Sequence, residues 1–134
     1  VVSLGQGIPK EATAAITNNH LGWAARWGYS YCQFYGVLDS SRPPAWSKVV
    51  ALLEVLACTD SEWVMWIDMD AVFANMSVSF SSLMQSMAGE EAAVGGSWQG
   101  KSAVFSRNYR AGHGLLNTGV FLLRNNDFST GLLA

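Results

Sequence analysis

Two aspartates, one residue apart, follow an unbroken apolar run in the middle of this 134-residue chain. Asp68 and Asp70 come directly after the run Trp63–Ile67. Side chains two positions apart on an extended chain point the same way, so the two carboxylates are predicted to lie side by side. Neighbouring carboxylates repel each other unless a cation or a donor-rich ligand joins them. A divalent metal that also holds a diphosphate would do so, because hard cations bind oxygen ligands.

The apolar run that carries these aspartates predicts a central strand buried on both faces. In open α/β sheets, ligands bind at the carboxyl ends of the strands, which is where the aspartates fall. Alternating strand and helix patterns predict an α/β domain with a mostly parallel central sheet flanked by helices. The predicted strands are 1–4, 29–35, 63–67, 92–96 and 119–123, the predicted helices are 10–27, 46–57, one from residue 80 and one starting at 128, and residues 97–114 are predicted as a loop.

Several single side chains have a simple structural interpretation. Lys48 lies off the apolar stripe of its helix, and a lone helical lysine is usually a solvated charge. His20 shares a face with apolar residues, which is typical of a packed histidine. Cys32 and Cys58 form no Cys-x-x-Cys pair, so a zinc site is not predicted and both are expected to be buried thiols. The buried stripe predicted for the second helix is Trp46, Val49, Val50, Leu53, Leu56 and Ala57.

Composition limits the classes of partner. Half of the residues are apolar, 13% are charged and the net charge is −2, so no basic surface for nucleic acid is expected. The sequence has no run of 18 apolar residues, so no membrane-spanning segment is predicted. The length suits one domain with a hydrophobic core. Because the sequence opens on a strand-like and closes on a helix-like segment, residues 1–134 are expected to be part of a longer protein.

Four stretches, taken in chain order, resemble the motifs of glycosyltransferase family 34. This family includes galactosyl- and xylosyltransferases that act on yeast mannan and plant xyloglucan. The order of the stretches makes the resemblance more specific than an Asp-x-Asp pair alone. They are Asn19 to Tyr29 (NHLGWAARWGY), Trp46-Ser47-Lys48 (WSK), Glu62 to Val72 around the two aspartates, and Asn117 to Asn125 (NTGVFLLRN).

The resemblance implies the A-type nucleotide-diphospho-sugar transferase fold, which is Rossmann-like and would here be incomplete at its C-terminus. Asp68 and Asp70 would bind Mn²⁺ (or Mg²⁺) and the diphosphate and ribose of the donor. Lys48 would reach the nucleotide-sugar, and Asn117 and Gly119 would lie along the sugar pocket. Residues 1–134 would form the nucleotide-sugar-binding part of a single domain.

The reaction implied is transfer of a sugar, galactose or xylose, from a UDP-sugar to an oligosaccharide or glycan acceptor with retention of configuration. The metal would neutralise the departing diphosphate. A Golgi-lumenal location is expected from the family. Its remaining metal ligand, a histidine, and its acceptor-binding residues would follow Ala134, so the present chain is expected to bind donor weakly and transfer little sugar.

Two alternatives compete with the transferase hypothesis. In a haloacid-dehalogenase-type phosphatase, Asp68 would attack phosphorus and Asp70 would act as the acid. That motif normally opens its domain and needs a later acidic pair, for which only Glu90 and Glu91 are candidates, in a predicted loop. The other alternative is a truncated domain that binds nucleotide-sugar without turnover. Aspartates that merely form a turn would explain an isolated Asp-x-Asp, but not four ordered stretches.

Overall fold

The computed structural model of the protein describes residues 1–92, 100–107 and 116–134, with the side chains of residues 87–92 excepted. Within these residues, a five-stranded sheet is flanked by helices, as the sequence predicts for an α/β domain. In chain order the elements are β1 (Val2–Gly5), α1 (Lys10–Trp27), β2 (Cys32–Tyr35), a 3₁₀ turn (Pro44–Trp46), α2 (Ser47–Cys58), β3 (Trp63–Ile67), α3 (Phe80–Ala92), β4 (Ala103–Arg107), β5 (Leu116–Arg124) and α4 (Asp127–Leu133).

The sheet is mixed, so the prediction of a mostly parallel sheet is wrong for its second half. The strand order is β2-β1-β3-β5-β4. Strand β1 pairs in parallel with β2 and β3, whereas β5 pairs antiparallel with both β3 and β4. The physical reason is that an apolar run records burial but not strand direction. The reversal matters for the site because it brings the start of β5, not its end, next to the end of β3.

Helix α1 begins and ends where the sequence predicts. Pro9 precedes its first turn, and the Thr13 hydroxyl donates a hydrogen bond to the Pro9 carbonyl (3.0 Å). Gly28 ends the helix with φ 69°, a left-handed conformation that glycine adopts without steric penalty. Its N–H bonds to the carbonyls of Ala24 and Ala25.

Strand β3 is buried on both faces, as predicted. Val64 and Trp66 pack in a core layer against α2, with Val2 and Phe121 from neighbouring strands. Met65 points to the opposite layer and contacts residues of α1 and the segment before α3. This alternation places Asp68, two residues beyond Trp66, on the α2 side of the sheet.

The buried face of α2 differs from the predicted stripe. Trp46 precedes the helix and is 50% exposed. Ser47 is fully buried, and its hydroxyl accepts a hydrogen bond from the Leu38 backbone N–H (3.0 Å). Because α2 carries apolar residues on most of its sides, periodicity could not determine its rotation. The residues of α2 that are buried are Ser47, Ala51, Leu52, Val55 and Leu56.

Three further predictions need correction. Cys32 and Cys58 are exposed free thiols, because Cys32 begins the edge strand β2 and Cys58 is the last residue of α2. The predicted loop 97–114 contains β4, an edge strand that pairs with β5. Glu90 and Glu91 lie in α3, not in a loop. The strand predicted at 92–96 lies outside the described residues except for Ala92, which ends α3.

Candidate functional site

A tight turn at residues 68–71, here named the aspartate turn, follows β3 at the carboxyl end of the strand. The Ala71 N–H closes it with a hydrogen bond to the Asp68 carbonyl (3.0 Å). The Asp68 N–H donates to the Gly119 carbonyl of β5 (2.7 Å). Met69 is buried, whereas Asp70 is exposed. The turn therefore presents one aspartate to solvent while the residues on either side of it are held by the fold.

The carboxylate of Asp68 is held by two donors. Lys48 Nζ lies 3.0 Å from Oδ1 and 3.4 Å from Oδ2, and Trp66 Nε1 donates to Oδ1 (2.6 Å). Lys48 also donates to the Thr118 carbonyl (3.1 Å) and lies 5.4 Å from the centre of the Trp66 ring system. The Lys48 side chain is only 18% exposed. Lys48 is therefore not the solvated charge that helical spacing alone suggested.

The start of β5 lies against the same carboxylate. Asn117 Oδ1 accepts a hydrogen bond from the Gly119 N–H (2.8 Å). A Cβ atom added at Gly119 would lie 3.0 Å from Asn117 Oδ1 and 3.4 Å from Asp68 Oδ2. A side chain at residue 119 would therefore press on the Asn117 amide, whereas its distance from the aspartate would be that of an ordinary contact.

A cavity of about 470 Å³ opens beside the aspartate turn. Lys48, Asp68 and Asp70 all line it. Asn117 and Gly119 do not, but Gly119 accepts a hydrogen bond from the Asp68 N–H and donates one to Asn117. The sequence-predicted residues are therefore brought to one edge of the sheet. The remaining lining residues come from the end of β1, the loop before α1, the turn before α2 and the β3 end, namely Leu4, Gln6, Gly7, Ile8, Pro44, Ala45, Trp66 and Met69.

The carboxylate oxygens at this end of β3 are suitable ligands for a hard divalent cation. Asp70 makes no hydrogen bond or ion pair with the other described residues, so its oxygens are open to a ligand. Asp68 offers a second carboxylate, although Lys48 already neutralises part of its charge. Among the described residues, no group of three or more His, Cys, Asp or Glu side chains could hold a metal. A cation here would take its other ligands from a bound diphosphate or from water.

The sequence did not predict the side-chain contacts that hold the aspartate turn from α1 and β2. His20 Nε2 bonds to the Ala71 carbonyl (2.8 Å), and Gln33 Nε2 contacts Met69 Sδ (3.6 Å). Burial lowers the pKa of His20, and the hydrogen bond to Ala71 opposes this shift. The prediction that His20 is a packed and satisfied residue is confirmed. Its role at the turn could have been suspected only from its place in the family-like stretch that begins at Asn19.

The comparison with protein families covers nearly the whole chain. Residues 5–134 match the galactosyl transferase GMA12/MNN10 family, which is glycosyltransferase family 34. The chain belongs to this family. The matched range includes Lys48, Asp68, Asp70, Asn117 and Gly119. Membership in family 34 confirms the resemblance drawn from the four stretches and gives no support to the phosphatase alternative.

Curated relatives point to the same class of protein. The chain is 34% identical over 108 residues to "Probable glycosyltransferase 6" of Oryza sativa subsp. indica and equally to that of subsp. japonica. Each alignment covers 74% of this family 34 chain but 21% of the rice protein, so the chain spans about a fifth of the length of these relatives. None of the helices in the described residues has the length and apolar character needed to cross a membrane.

Proposed function

We propose that this chain is the nucleotide-sugar-binding part of a metal-dependent glycosyltransferase. The donor is a UDP-sugar, with galactose or xylose as the sugar, and the acceptor is an oligosaccharide or glycan that is glycosylated with retention of configuration. One observation carries the proposal. The exposed Asp70 and the Lys48–Asp68 pair line one cavity at the carboxyl end of a central strand.

Each residue of this edge has a task in the proposal. Asp70, which is exposed, and Asp68 together hold Mn²⁺ or Mg²⁺. Asp68 keeps a fixed orientation because Trp66 and Lys48 both donate to it, and with Asp70 it contacts the diphosphate and ribose of the donor. Lys48 adds positive charge near the phosphates. When bound, the metal supplies charge neutralisation for the departing diphosphate.

The finer assignments rest on the family. The domain is proposed to have the Rossmann-like nucleotide-diphospho-sugar transferase fold, which three parallel strands and their two crossover helices support. Asn117 and Gly119 are proposed to lie along the sugar pocket, since Gly119 bonds to the Asp68 backbone and Asn117 bonds to Gly119. The full-length protein is proposed to act in the Golgi lumen, as the family resemblance implies.

Calorimetric titration of UDP into the protein, with Mn²⁺ or with a chelator, tests the proposal. Wild-type protein should bind UDP in Mn²⁺ and lose most of this binding in chelator. Asp70→Asn should bind UDP in Mn²⁺ no better than wild type does in chelator, because the amide removes the charged ligand. Asp60→Asn is the matched control, since Asp60 is exposed and precedes the same strand at its opposite end.

The controls decide the interpretation. Asp60→Asn should bind UDP as wild type does, and circular dichroism should show that both variants are folded. Equal UDP binding in Mn²⁺ and in chelator would refute metal-dependent donor binding. With Mn²⁺ present, either UDP-galactose or UDP-xylose should bind more tightly than UDP-glucose if the sugar assignment is correct.

A further inference from the structure

Helix α1 holds the chain immediately after Asp70 through its side chains. Four residues on one side of the helix bond to backbone groups of residues 71–78, a segment that contains neither helix nor strand. Their positions, separated by one, three and four residues, place them along a single helix face. The four residues are Asn19, His20, Trp23 and Trp27.

The contacts nearest the aspartate turn come from Asn19 and His20. The His20 Nε2–H donates to the Ala71 carbonyl (2.8 Å), since a carbonyl can only accept. The Asn19 amide makes two hydrogen bonds to Phe73, donating to its carbonyl (3.1 Å) and accepting from its N–H (2.8 Å). Both side chains thus bind within three residues of Asp70.

The two tryptophans hold the far part of the segment. Trp23 Nε1 donates to the Val78 carbonyl (2.9 Å), and Trp27 Nε1 donates to the Met76 carbonyl (3.2 Å). The Trp23 ring stacks on Phe73 with centroids 3.9 Å apart and an angle of 3° between the planes. The segment is therefore fixed by packing as well as by hydrogen bonds.

The segment depends on these contacts for its shape. In the described part of the chain, the backbone–backbone hydrogen bonds of residues 71–78 are Ala71 N–H to the Asp68 carbonyl and Val78 N–H to the Asn75 carbonyl (3.4 Å). Side chains of α1 bind more of its backbone groups than its own backbone does. Without them, the backbone after Asp70 would have few constraints on its direction.

We propose that Asn19 and His20 are positioning residues for Asp70. This inference rests on the proposed function, in which Asp70 binds the metal that holds the donor diphosphate. Gly119 fixes the turn at Asp68, burial fixes it at Met69, and the two α1 residues fix it after Asp70. Asp70 itself is exposed, so its backbone position is set by these neighbours. Residues that orient a metal ligand commonly change metal affinity by about 10–100-fold when they are removed.

The first test compares Asn19→Ala with Asn18→Ala. Asn18 is the adjacent, exposed residue of the same helix and serves as a matched control. Asn19→Ala should weaken UDP binding in Mn²⁺ by about 10-fold at a temperature where the variant is folded. Without metal or ligand, hydrogen exchange at the Phe73 amide should be faster in Asn19→Ala, because its acceptor is gone. Asn18→Ala should match wild type in both measurements.

The second test replaces His20 by two residues of similar length. His20→Gln keeps an amide N–H that can reach the Ala71 carbonyl, whereas His20→Met keeps the bulk without a donor. His20→Met should weaken Mn²⁺-dependent UDP binding about as much as Asn19→Ala does. His20→Gln should restore most of the affinity. A role in stability alone would lower the melting temperature of these variants without separating their UDP dissociation constants.

The outcomes separate this inference from the proposed function. Loss of UDP binding in Asp70→Asn, with wild-type affinity in Asn19→Ala and His20→Met, would overturn the positioning role and leave the function standing. UDP binding that is the same with Mn²⁺ and with chelator in wild type would refute the function itself. Weaker binding in Asn19→Ala and His20→Met, with rescue by His20→Gln, would establish the positioning role.

Discussion

Asp68 and Asp70 carry the same side chain in very different surroundings. Asp68 accepts hydrogen bonds from Lys48 and Trp66 and is about one-third exposed, while Asp70 is open to the cavity. Both residues line one cavity, but residues 68–71 form a turn and not the extended chain on which the side-by-side prediction relied. The spacing of the two residues could not predict which carboxylate is held, because this depends on the reach of a lysine 20 residues earlier and on the placement of a core tryptophan.

Removing Lys48 tests its proposed contact with the donor. Lys48→Ala should weaken UDP-sugar binding in Mn²⁺ by about 1–3 kcal/mol, the usual range for a lost hydrogen bond to a charged group. Lys10→Ala is the control, because Lys10 is exposed at the start of α1. A dissociation constant equal to that of wild type would confine Lys48 to its bond with Asp68. Calorimetry of Lys48→Ala with Mn²⁺ alone would show separately whether Asp68 binds the cation better once the positive charge of Lys48 is removed.

His20 predicts a pH dependence of stability. Burial lowers its pKa in the folded protein below the ordinary value of about 6.5 that applies to the unfolded chain. As the pH falls below about 6.5, the unfolded chain takes up the proton first, so the free energy of unfolding decreases until the lowered folded pKa is reached. Above that window both states are neutral at this residue and its contribution is fully present.

Melting temperatures of wild type and His20→Gln, measured from about pH 8 to pH 5, check this prediction. Carboxylates titrate in both proteins, so only the difference between the two curves reports on His20. Wild type should lose stability relative to His20→Gln as the pH falls through the histidine window. A difference that stays constant across this range would show that His20 binds protons equally in the folded and unfolded states.

For helices and strands, the sequence predicts which segments are buried and where helices end better than it predicts strand direction or the rotation of a helix about its axis. Helix α1 matches its predicted bounds because Pro9 and Gly28 set its limits locally. The rotation of α2 was missed because apolar residues lie on most of its sides, and because a buried serine, Ser47, accepts a hydrogen bond from the distant Leu38 N–H, which no periodicity records. Strand β4 was missed because its stability comes from pairing with β5, which sequence patterns in a short edge strand do not record.

The antiparallel direction of β5 is what completes the candidate site. Ile67 pairs with Val120, and Trp63 pairs with Arg124, so β5 begins where β3 ends. Asn117 and Gly119 therefore lie next to Asp68. In the parallel sheet predicted from the sequence, the same two residues would lie at the opposite edge. The family resemblance groups them with Asp68, and the antiparallel register brings Gly119 to the Asp68 backbone, whereas strand patterning alone would have separated them.

In the molecule as a whole, the two ends of the sheet's parallel strands carry different side chains. The carboxyl ends of β1 and β3 carry the cavity with Lys48, Asp68 and Asp70. At the amino-terminal ends of the strands, Cys32 begins β2 opposite Val2, and Cys58 ends α2. Helix α2 runs between these two ends of the strands. Its rise of 1.5 Å per residue separates Cys58 from Lys48 by about 15 Å along the helix axis.

This separation predicts that both thiols can be modified without loss of donor binding. Iodoacetamide should alkylate Cys32 and Cys58 in the folded protein, because both are exposed, and mass spectrometry should show two adducts without denaturant. The doubly alkylated protein should bind UDP in Mn²⁺ with the affinity of untreated protein, since neither thiol lines the aspartate cavity. A need for denaturant would contradict the exposure of the thiols. If the alkylated protein stays folded but no longer binds UDP, the region around the two thiols contributes to UDP binding.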